Sequence, residues 1–589
     1  MMKFPKGRRA AECAIILLLV ISASVSGAHP PTETGLPAGA CGVYLWPDWR
    51  PETMNRHTCP FAKGATIICS WNAIEPQAGE FQFDREIGDK LRAAVNNNYF
   101  VSLALWTSPN NITPEWLYEA GVPAVRFKER LTPFLEKKHD RFPYYFNTIY
   151  QGLYRRLLER TGDYLASLPQ ELRDRIAFVE VCEGATGDPA PYYGNNTKDY
   201  FAEPLDPQYR ISRRDWSRYR IELWKTYQAI FQNERIDYPL LVKSADIVEN
   251  EFAWLLASLP VLGSKQAYFC EYYQHSGVRS RLKLVNNTRA EIKNAGKTYF
   301  SRGEYDAQFK LFGWSTRHPD QALYWTAIYA SHAELDIWQV HHEALQLNQA
   351  KQAVEFFNRY AGHRTPETSP AAFCVLRRGL DAADTDAFPE SLFGKADRQN
   401  IDRYQRIAAA YKHRGARQGD PQKAVAGLMT NRRSEDFNDV GWDILPGNYG
   451  RFLKQIDANE TSIGWWHVGL EESIYGRFAR GLDVATGKDR MFFRLADGFC
   501  NANQPHTLLL KIIYLDNGTG VWNLRYHTTN GMKEALSVSN TDSGQWRETS
   551  VIVSDAAMQH GGPRGADLIL ASQKGDCVFH LIEVQRAAD

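Results

Sequence analysis

The chain has 589 residues, 44% hydrophobic and 23% charged, which is ordinary for globular protein and too long for one compact domain. Its formal net charge of +1 leaves no electrostatic case for nucleic acid or an anionic membrane surface as partner. Rings are plentiful (16 Trp, 29 Tyr, 29 Phe), and their flat apolar faces serve either as core or as platforms for the C–H faces of sugars.

In chain order, the first feature is an export leader. Lys3, Lys6, Arg8 and Arg9 precede the apolar run 14–21, and Ser26-Gly27-Ala28 offers small residues for cleavage. Residues 1–28 are therefore expected to be a signal peptide, and the mature protein to be secreted or periplasmic. The apolar run is too short to span a bilayer, and no later stretch reads as a membrane span. An oxidising compartment permits disulfides, and Cys500 with Cys577 is the expected pair. Cys69, Cys182 and Cys270 fall in predicted strands, as small buried residues. No CxxC or His/Cys spacing marks a zinc site.

From about residue 40 to 365, short apolar runs alternate with helical patterns. The predicted strands are Gly42–Trp46, Ala65–Ser70, Phe100–Trp106, Ile176–Cys182, Leu240–Ala245, Ala267–Tyr272, Thr298–Arg302 and Leu335–Val340. They lack clean alternation, as parallel strands covered on both faces do. Eight such strands with intervening helices predict an α/β fold, a (β/α)8 or TIM barrel. Residues 366–430 read as a helical extension containing Asp402–Tyr411. Residues 431–589 carry short strands between Asn-Gly, Ser-Gly and Gly-Gly turns, the pattern of an antiparallel β-sandwich or jelly roll.

Active sites of such barrels collect at the C-terminal ends of the strands. After the second strand stands Trp71-Asn72-Ala73-Ile74-Glu75-Pro76-Gln77-Ala78-Gly79-Glu80-Phe81-Gln82-Phe83, and after the third stand Trp106 and Pro114-Glu115-Trp116-Leu117. Together these resemble the W-x-x-x-E-P-x-x-G-x-F-x-F and P-x-W-L stretches of clan A glycoside hydrolases, such as the family 42 and 35 β-galactosidases. The resemblance implies cleavage of β-glycosidic bonds in an oligo- or polysaccharide, galactose-containing sugars among them, by a pair of carboxyl groups. It assigns Glu75 a structural role. The acid/base of the clan ends strand four, where Glu183 stands here, preceded by Cys182 instead of the usual asparagine. The same stretch also resembles β-amylases, in which Asp188 would hold the acid's place. The clan's nucleophile ends strand seven, which points to Glu304. Arg302 beside it would favour the ionised form. Shifting the strand count by one makes Glu271 the nucleophile instead.

Around this pair, Trp46, Trp49, Trp71, Asn72, Trp106, Tyr192, Tyr272, His275, Arg302 and Trp338 are the expected substrate-binding residues. Neither metal nor organic cofactor is called for. Adjacent histidines in an extended segment point to opposite faces, so His341-His342 beside Glu343 read as helix-entry residues. Two rivals stand beside a retaining hydrolase using Glu183 and Glu304. One is an inverting hydrolase using Asp188, and the other a non-catalytic glycan-binding protein on a degenerate barrel. The C-terminal sandwich resembles carbohydrate-binding jelly rolls in architecture alone.

Overall fold

A computed structural model describes residues 32–127, 141–192, 203–243, 248–265, 278–306, 310, 313–420, 437–501 and 504–587. The expected leader, Glu271, Tyr272 and His275 lie outside the described residues, as does the strand expected at 267–272.

Eight parallel strands close into a barrel. They are β1 (Gly42–Trp46), β2 (Gly64–Ser70), β3 (Phe100–Trp106), β4 (Ile176–Glu180), β5 (Leu240–Lys243), β6 (Val261–Lys265), β7 (Thr298–Tyr305) and β8 (Ile337–His341). Pairing of Gly42–Trp46 with Ile337–His341 joins the last strand to the first. Sequences such as GVYLW and IWQVH are buried along their whole length, because barrel interior and outer helices cover both faces. The sixth strand is described over Val261–Lys265, ahead of the stretch where the apolar run placed it, which lies outside the described residues.

The barrel interior is layered. At the N-terminal end Tyr44, Phe178, Leu241, Phe300 and Ile337 form a small apolar cluster, closed from below by Leu36 and Ala40 of the segment leading into β1. Above it is a polar layer. Gln339 Nε2 donates to Thr66 Oγ1 (2.7 Å) and to Glu180 Oε1 (2.8 Å), and Ser102 Oγ donates to Thr66 Oγ1 at 3.0 Å. Most of these buried groups satisfy one another, while Gln339 Oε1 is left without a hydrogen-bond partner.

The outer helices that matter to the site are α1 (Asp89–Asn97), α2 (Thr148–Ser167), α3 (Arg213–Phe231), α4 (Glu249–Ser258), α5 (Val278–Asn294), α6 (Pro319–His332) and α7 (Ala350–Tyr360). Asn147 caps α2 by accepting from the Ile149 and Tyr150 amides, and Ser212 caps α3 through the Asp215 amide. Helix α6 starts on Pro319, and every residue from Gln321 to Ser331 is buried. An outer barrel helix ordinarily keeps a polar stripe. This one lacks it because the second domain covers the face that would meet water.

That domain is an antiparallel sandwich. One sheet contains β9 (Ala371–Val375), β10 (Tyr449–Arg451), β12 (Ile463–Trp466), β13 (Phe478–Gly481), β15 (His506–Asp516), β18 (Gln545–Ala556) and β20 (Val578–Arg586). The other contains β11 (Leu453–Ile456), β14 (Arg490–Leu495), β16 (Val521–Thr528), β17 (Gly531–Ser539) and β19 (Leu568–Lys574). Strand β9 falls within the stretch expected to be helical extension, yet it pairs with both β20 and β10. The expected helix is there too, as α8 (Ile401–Ala410).

The two domains share one core. Leu323, Trp325 and Ile328 of α6 belong to the same apolar cluster as Phe373, Tyr449, Phe478 and Leu581 of the sandwich. Tyr324 Oη lies 2.9 Å from His580 Nε2, and Arg359 and Tyr360 of α7 both reach Glu583 Oε1, at 2.6 and 2.5 Å.

The expected disulfide does not form: Cys500 and Cys577 are both free thiols. Cys577 directly precedes β20, whereas Arg586 at the far end of that strand donates to the carbonyl of Phe499, the neighbour of Cys500. Nine strand residues at about 3.3 Å each separate the two thiols by roughly 30 Å, where a disulfide needs Cα atoms within about 7 Å.

Candidate active site

Three elements bring charged side chains together at the C-terminal mouth of the barrel. On β7, Arg302 and Glu304 are two residues apart and so share the inward face. Arg302 Nη1 donates to Glu304 Oε1 at 2.5 Å, and its Nη2 lies 3.4 Å from Glu180 Oε2 in the layer below. Lys265, the last residue of β6, places its Nζ 2.7 Å from the same Glu304 oxygen and 3.0 Å from Asp188 Oδ1.

Asp188 reaches that point because the loop after β4 is tightly wound. The Gly184 amide donates to the Asp188 carbonyl at 2.8 Å, and Gly187 takes φ +73°. A side chain at Gly184 would put its Cβ 1.9 Å from the Ala190 carbonyl oxygen, so only glycine closes this turn.

Burial alone would lower the pKa of Lys265, but Asp188 and Glu304 overcome it and hold the ammonium above the ordinary lysine value. Arg302 behaves likewise: burial opposes its charge, while Glu180 and Glu304 outweigh burial and raise it. Both cations are thus permanent, and they stand against three carboxylates.

Glu183 is not part of this group. It is fully buried and turned toward the outer helices, where Arg220 Nε donates to its Oε2 at 2.9 Å and Trp224 Nε1 to its Oε1 at 2.6 Å. Arg220 also holds Glu251 of α4 at 2.8 Å. Burial raises the Glu183 pKa against the pull of Arg220 and Trp224. Strand β4 ends at Glu180, which faces inward, and Glu183 follows beyond it, held outward by Arg220 and Trp224.

The expected sugar platforms divide between the mouth and the core. Trp46 and Trp106 meet edge to face at the mouth, with centroids 6.2 Å apart, and the Arg302 guanidinium lies 4.9 Å over the Trp46 ring. Asn72 is exposed. The other expected rings within the described residues are core residues. Trp338 neighbours the inward Gln339 and so points outward, against Phe357 and Tyr305. Trp71 packs among Trp116, Tyr150 and Tyr154. Trp49 packs on Tyr99 and donates to the Met54 carbonyl, and Tyr192 sits among Phe127, Phe142 and Tyr145.

Glu75 is wholly buried. It accepts from Trp71 Nε1 (3.0 Å), from the Gly79 amide (2.7 Å) and from Arg156, tying the loop after β2 to α2. The histidines differ from expectation. The His341 and His342 rings stack with centroids 4.5 Å apart, because the strand ends between them and the alternation of an extended segment no longer applies. With Glu343 they bring three possible ligand atoms within 4.8 Å of one another, and Lys310 reaches the Glu343 carboxylate. Burial lowers the His341 pKa to about 4, with His342 and Lys310 adding to the effect.

The residue that sequence reasoning missed is Lys265. Its signal was positional: had the sixth strand been placed at Val261–Lys265, the lysine would have stood at a strand's catalytic end.

Fold and site together define a (β/α)8-barrel protein with an acidic–basic cluster at its catalytic face and a β-sandwich fused to its side. No family model matches the chain, and neither does any curated protein. Among solved structures it is similar to the catalytic domain of β-amylase from Paenibacillus polymyxa, at 10% identity and a TM-score of 0.39, over 55% of this chain and 98% of that one. It is also similar to β-galactosidases from the psychrophilic Marinomonas ef1 (13% identity, TM-score 0.35) and from Rahnella sp. R3 (11%, 0.36). Those matches cover 54% and 57% of this chain, and 59% and 58% of the β-galactosidases, less than two thirds of either.

Proposed function

We propose that the protein is an exported glycoside hydrolase acting on β-linked oligo- or polysaccharide, with Asp188 and Glu304 as its two carboxyl groups. The observation that carries this reading is their common hold on Lys265. The ammonium lies 2.7 Å from one carboxylate and 3.0 Å from the other, so those two oxygens are no farther apart than the sum of these lengths. Retaining glycosidases space their carboxyl groups by about 5–5.5 Å, and inverting ones by about 6.5–9.5 Å to admit a water. The lysine-bridged spacing favours retention.

In this mechanism Glu304 attacks the anomeric carbon, while Asp188, in its protonated form, gives its proton to the departing glycosidic oxygen. A glycosyl ester of Glu304 results. Asp188 then takes a proton from water, which attacks the same carbon and frees Glu304. Arg302 and Lys265 favour the charged form that a nucleophile requires. Trp46 and Trp106 supply the apolar surface against which a sugar ring rests.

The experiment is a panel of β-linked glycans assayed with wild type, Asp188→Asn and Glu304→Gln, with product anomers read by NMR. Turnover with retention in wild type and loss in both variants supports the reading. Undiminished turnover in both variants overturns it.

A second reading, glycan binding without cleavage, draws on the same lysine. Lys265 occupies Asp188, the group that would have to carry a proton, and so supports a site that holds sugar without breaking it. Binding by wild type to a glycan it never cleaves would favour this alternative.

A further inference from the structure

The sandwich edge that meets the helical extension gathers cations without acids. Arg480 of β13 is 1% exposed, yet its guanidinium donates to neutral oxygens alone. These are the Arg377 carbonyl and Asn448 Oδ1 (both 2.9 Å), the Ala458 carbonyl (2.9 Å), Ser462 Oγ (3.2 Å) and Asn459 Oδ1 (3.1 Å). Buried charges in proteins are ordinarily paired. Arg220, Arg302 and Arg477 follow that rule on Glu183, Glu304 and Asp439. Arg403 and Arg451 also bond carbonyls, but Glu390 and Asp381 stand near the first, and Glu334 and Asp336 near the second. The charged neighbours of Arg480 are instead Arg378 and Arg377.

More cations surround it. Gly464 of β12 lies opposite Arg480 in the sheet, and a side chain there would put its Cβ 2.6 Å from Arg378 Cβ, so Arg378 lies on the same face. Arg378 Nη2 donates to Tyr411 Oη at 3.2 Å, and the Arg414 guanidinium lies 5.9 Å from the centre of that ring. Lys488, in the turn between β13 and β14, donates to the Asn459 carbonyl at 2.5 Å, on the residue whose side chain receives Arg480. Among the described residues no carboxylate forms an ion pair with any of these four.

The crowding tells on the charges themselves. Burial, then Arg378 and Arg377, bring the Arg480 pKa down to about 9. Lys488 also lies below the ordinary lysine value, through burial first and then Arg378 and Arg414, while Asp483 pulls the other way. An anion laid among them would offset burial and repulsion together. Arg378, Arg414 and Lys488 are partly exposed, so an anion can reach them.

A guanidinium fork matches the paired oxygens of a sulfate or carboxylate. The cations gather about one ring instead of forming a stripe, which suits isolated anionic groups and not the continuous phosphates of nucleic acid. The cluster also lies toward the barrel mouth. Three residues beyond Arg414, Arg417 holds Glu471 at 3.0 Å, and the Glu471 carbonyl accepts from Gln321 in the first turn of α6, which follows the catalytic end of β7.

We propose that this seam binds acidic polysaccharide, with Arg378, Arg414 and Lys488 holding a sulfate ester or a uronate carboxylate and the buried Arg480 adding its field. That the anion is carried on a glycan rests on the proposed role of the barrel mouth; that an anion binds does not.

The test uses the full-length protein carrying Glu304→Gln, titrated by calorimetry with sulfated galactan, polygalacturonate, neutral galactan and a short DNA duplex. Binding of either acidic glycan above the neutral one, weakening with added salt, is expected. A preference between the two acidic glycans tells sulfate from carboxylate. Arg414→Gln and Lys488→Gln should each weaken it by about tenfold, and Arg414→Lys should restore part of the loss. Arg414 makes only a ring contact, so Arg414→Gln should fold with an unchanged melting temperature. Acidic glycans binding no better than neutral galactan overturn the proposal, as does equal binding by wild type and both glutamine variants. Tighter binding of DNA than of any glycan overturns the assignment to polysaccharide. None of these results disturbs the hydrolase reading, which is tested by cleavage at Asp188 and Glu304.

Discussion

Arg220 clamps Glu183 from helix α3, with Nε 2.9 Å from Oε2, while its Nη1 reaches Glu251 at 2.8 Å; all three side chains are almost completely buried. The guanidinium thus rivets the end of β4 to two outer helices. Removing the cation would leave two buried carboxylates uncompensated, so Arg220→Met is expected to lose about 3–5 kcal/mol in denaturant unfolding, whereas Glu183→Gln, which leaves Arg220 paired with Glu251, should cost less. Turnover per folded molecule at a permissive temperature stays near wild type. A fall in kcat with unchanged stability would restore Glu183 to the chemistry.

Asp188→Asn and Glu304→Gln should behave in the opposite way. Each is expected to lower kcat by about a thousandfold, the scale on which a general acid or a nucleophile contributes. The melting temperature should change little for Asp188→Asn, since that side chain is 44% exposed. Kinetics and thermal denaturation on the same preparations check this.

Lys265→Met tests the bridge. Without the ammonium that contacts both, nothing holds the two carboxyl groups at one point, and they part. A displacement of about 1 Å costs on the order of a hundredfold in rate. The expected signature is a fall in kcat with KM nearly constant, because the lysine holds the carboxylates and not the sugar. Crystal structures of the variant should show a wider Asp188–Glu304 separation.

Acid should loosen the seam between the domains. Burial drives the His580 pKa down to about 3, while its hydrogen bond to the Phe478 carbonyl pulls the other way. In the unfolded chain a histidine takes its proton near pH 6.5. Between these values the unfolded state binds the extra proton, so folding stability is complete above about 6.5 and declines as pH falls toward 3. The slope is about 1.4 kcal/mol per pH unit for each such histidine. His467, held near 4 mainly by burial and Arg477, adds a second proton to the same window. Urea unfolding between pH 7 and 4.5 measures the slope, and His580→Gln should remove one proton from it.

Much of the barrel was legible because its parallel strands are continuous apolar runs. Phe100–Trp106 and Gly42–Trp46 begin and end where the sequence predicts. Strand β6 was not legible, since Val261–Lys265 carries a glycine, a serine and a lysine and looks weaker than the apolar run after it. Strand β9 was hidden for another reason. Its five residues find their partner in β20, some 200 residues later, and no local pattern reports a pairing of that span. Within the site, residue type was readable and facing was not. Gln339 and Trp338 differ only in phase along a strand, and Glu183 lies past the end of its strand, where no alternation tells which way it turns. A reader of sequence sees carboxylates and rings where the barrel sorts them into interior and wall.

Helix α6 has a final consequence. Enzymes that trade binding modules do so through exposed joints, where a cut leaves two soluble halves. Here the joint is Gln321–Ser331, buried on every side. A chain truncated after the barrel would present Tyr324 and Trp325 to water in place of His580 and Phe478. The expected product is insoluble barrel, and the intact chain should melt in one cooperative step. For this protein the sandwich is not a detachable accessory but the missing side of a barrel helix.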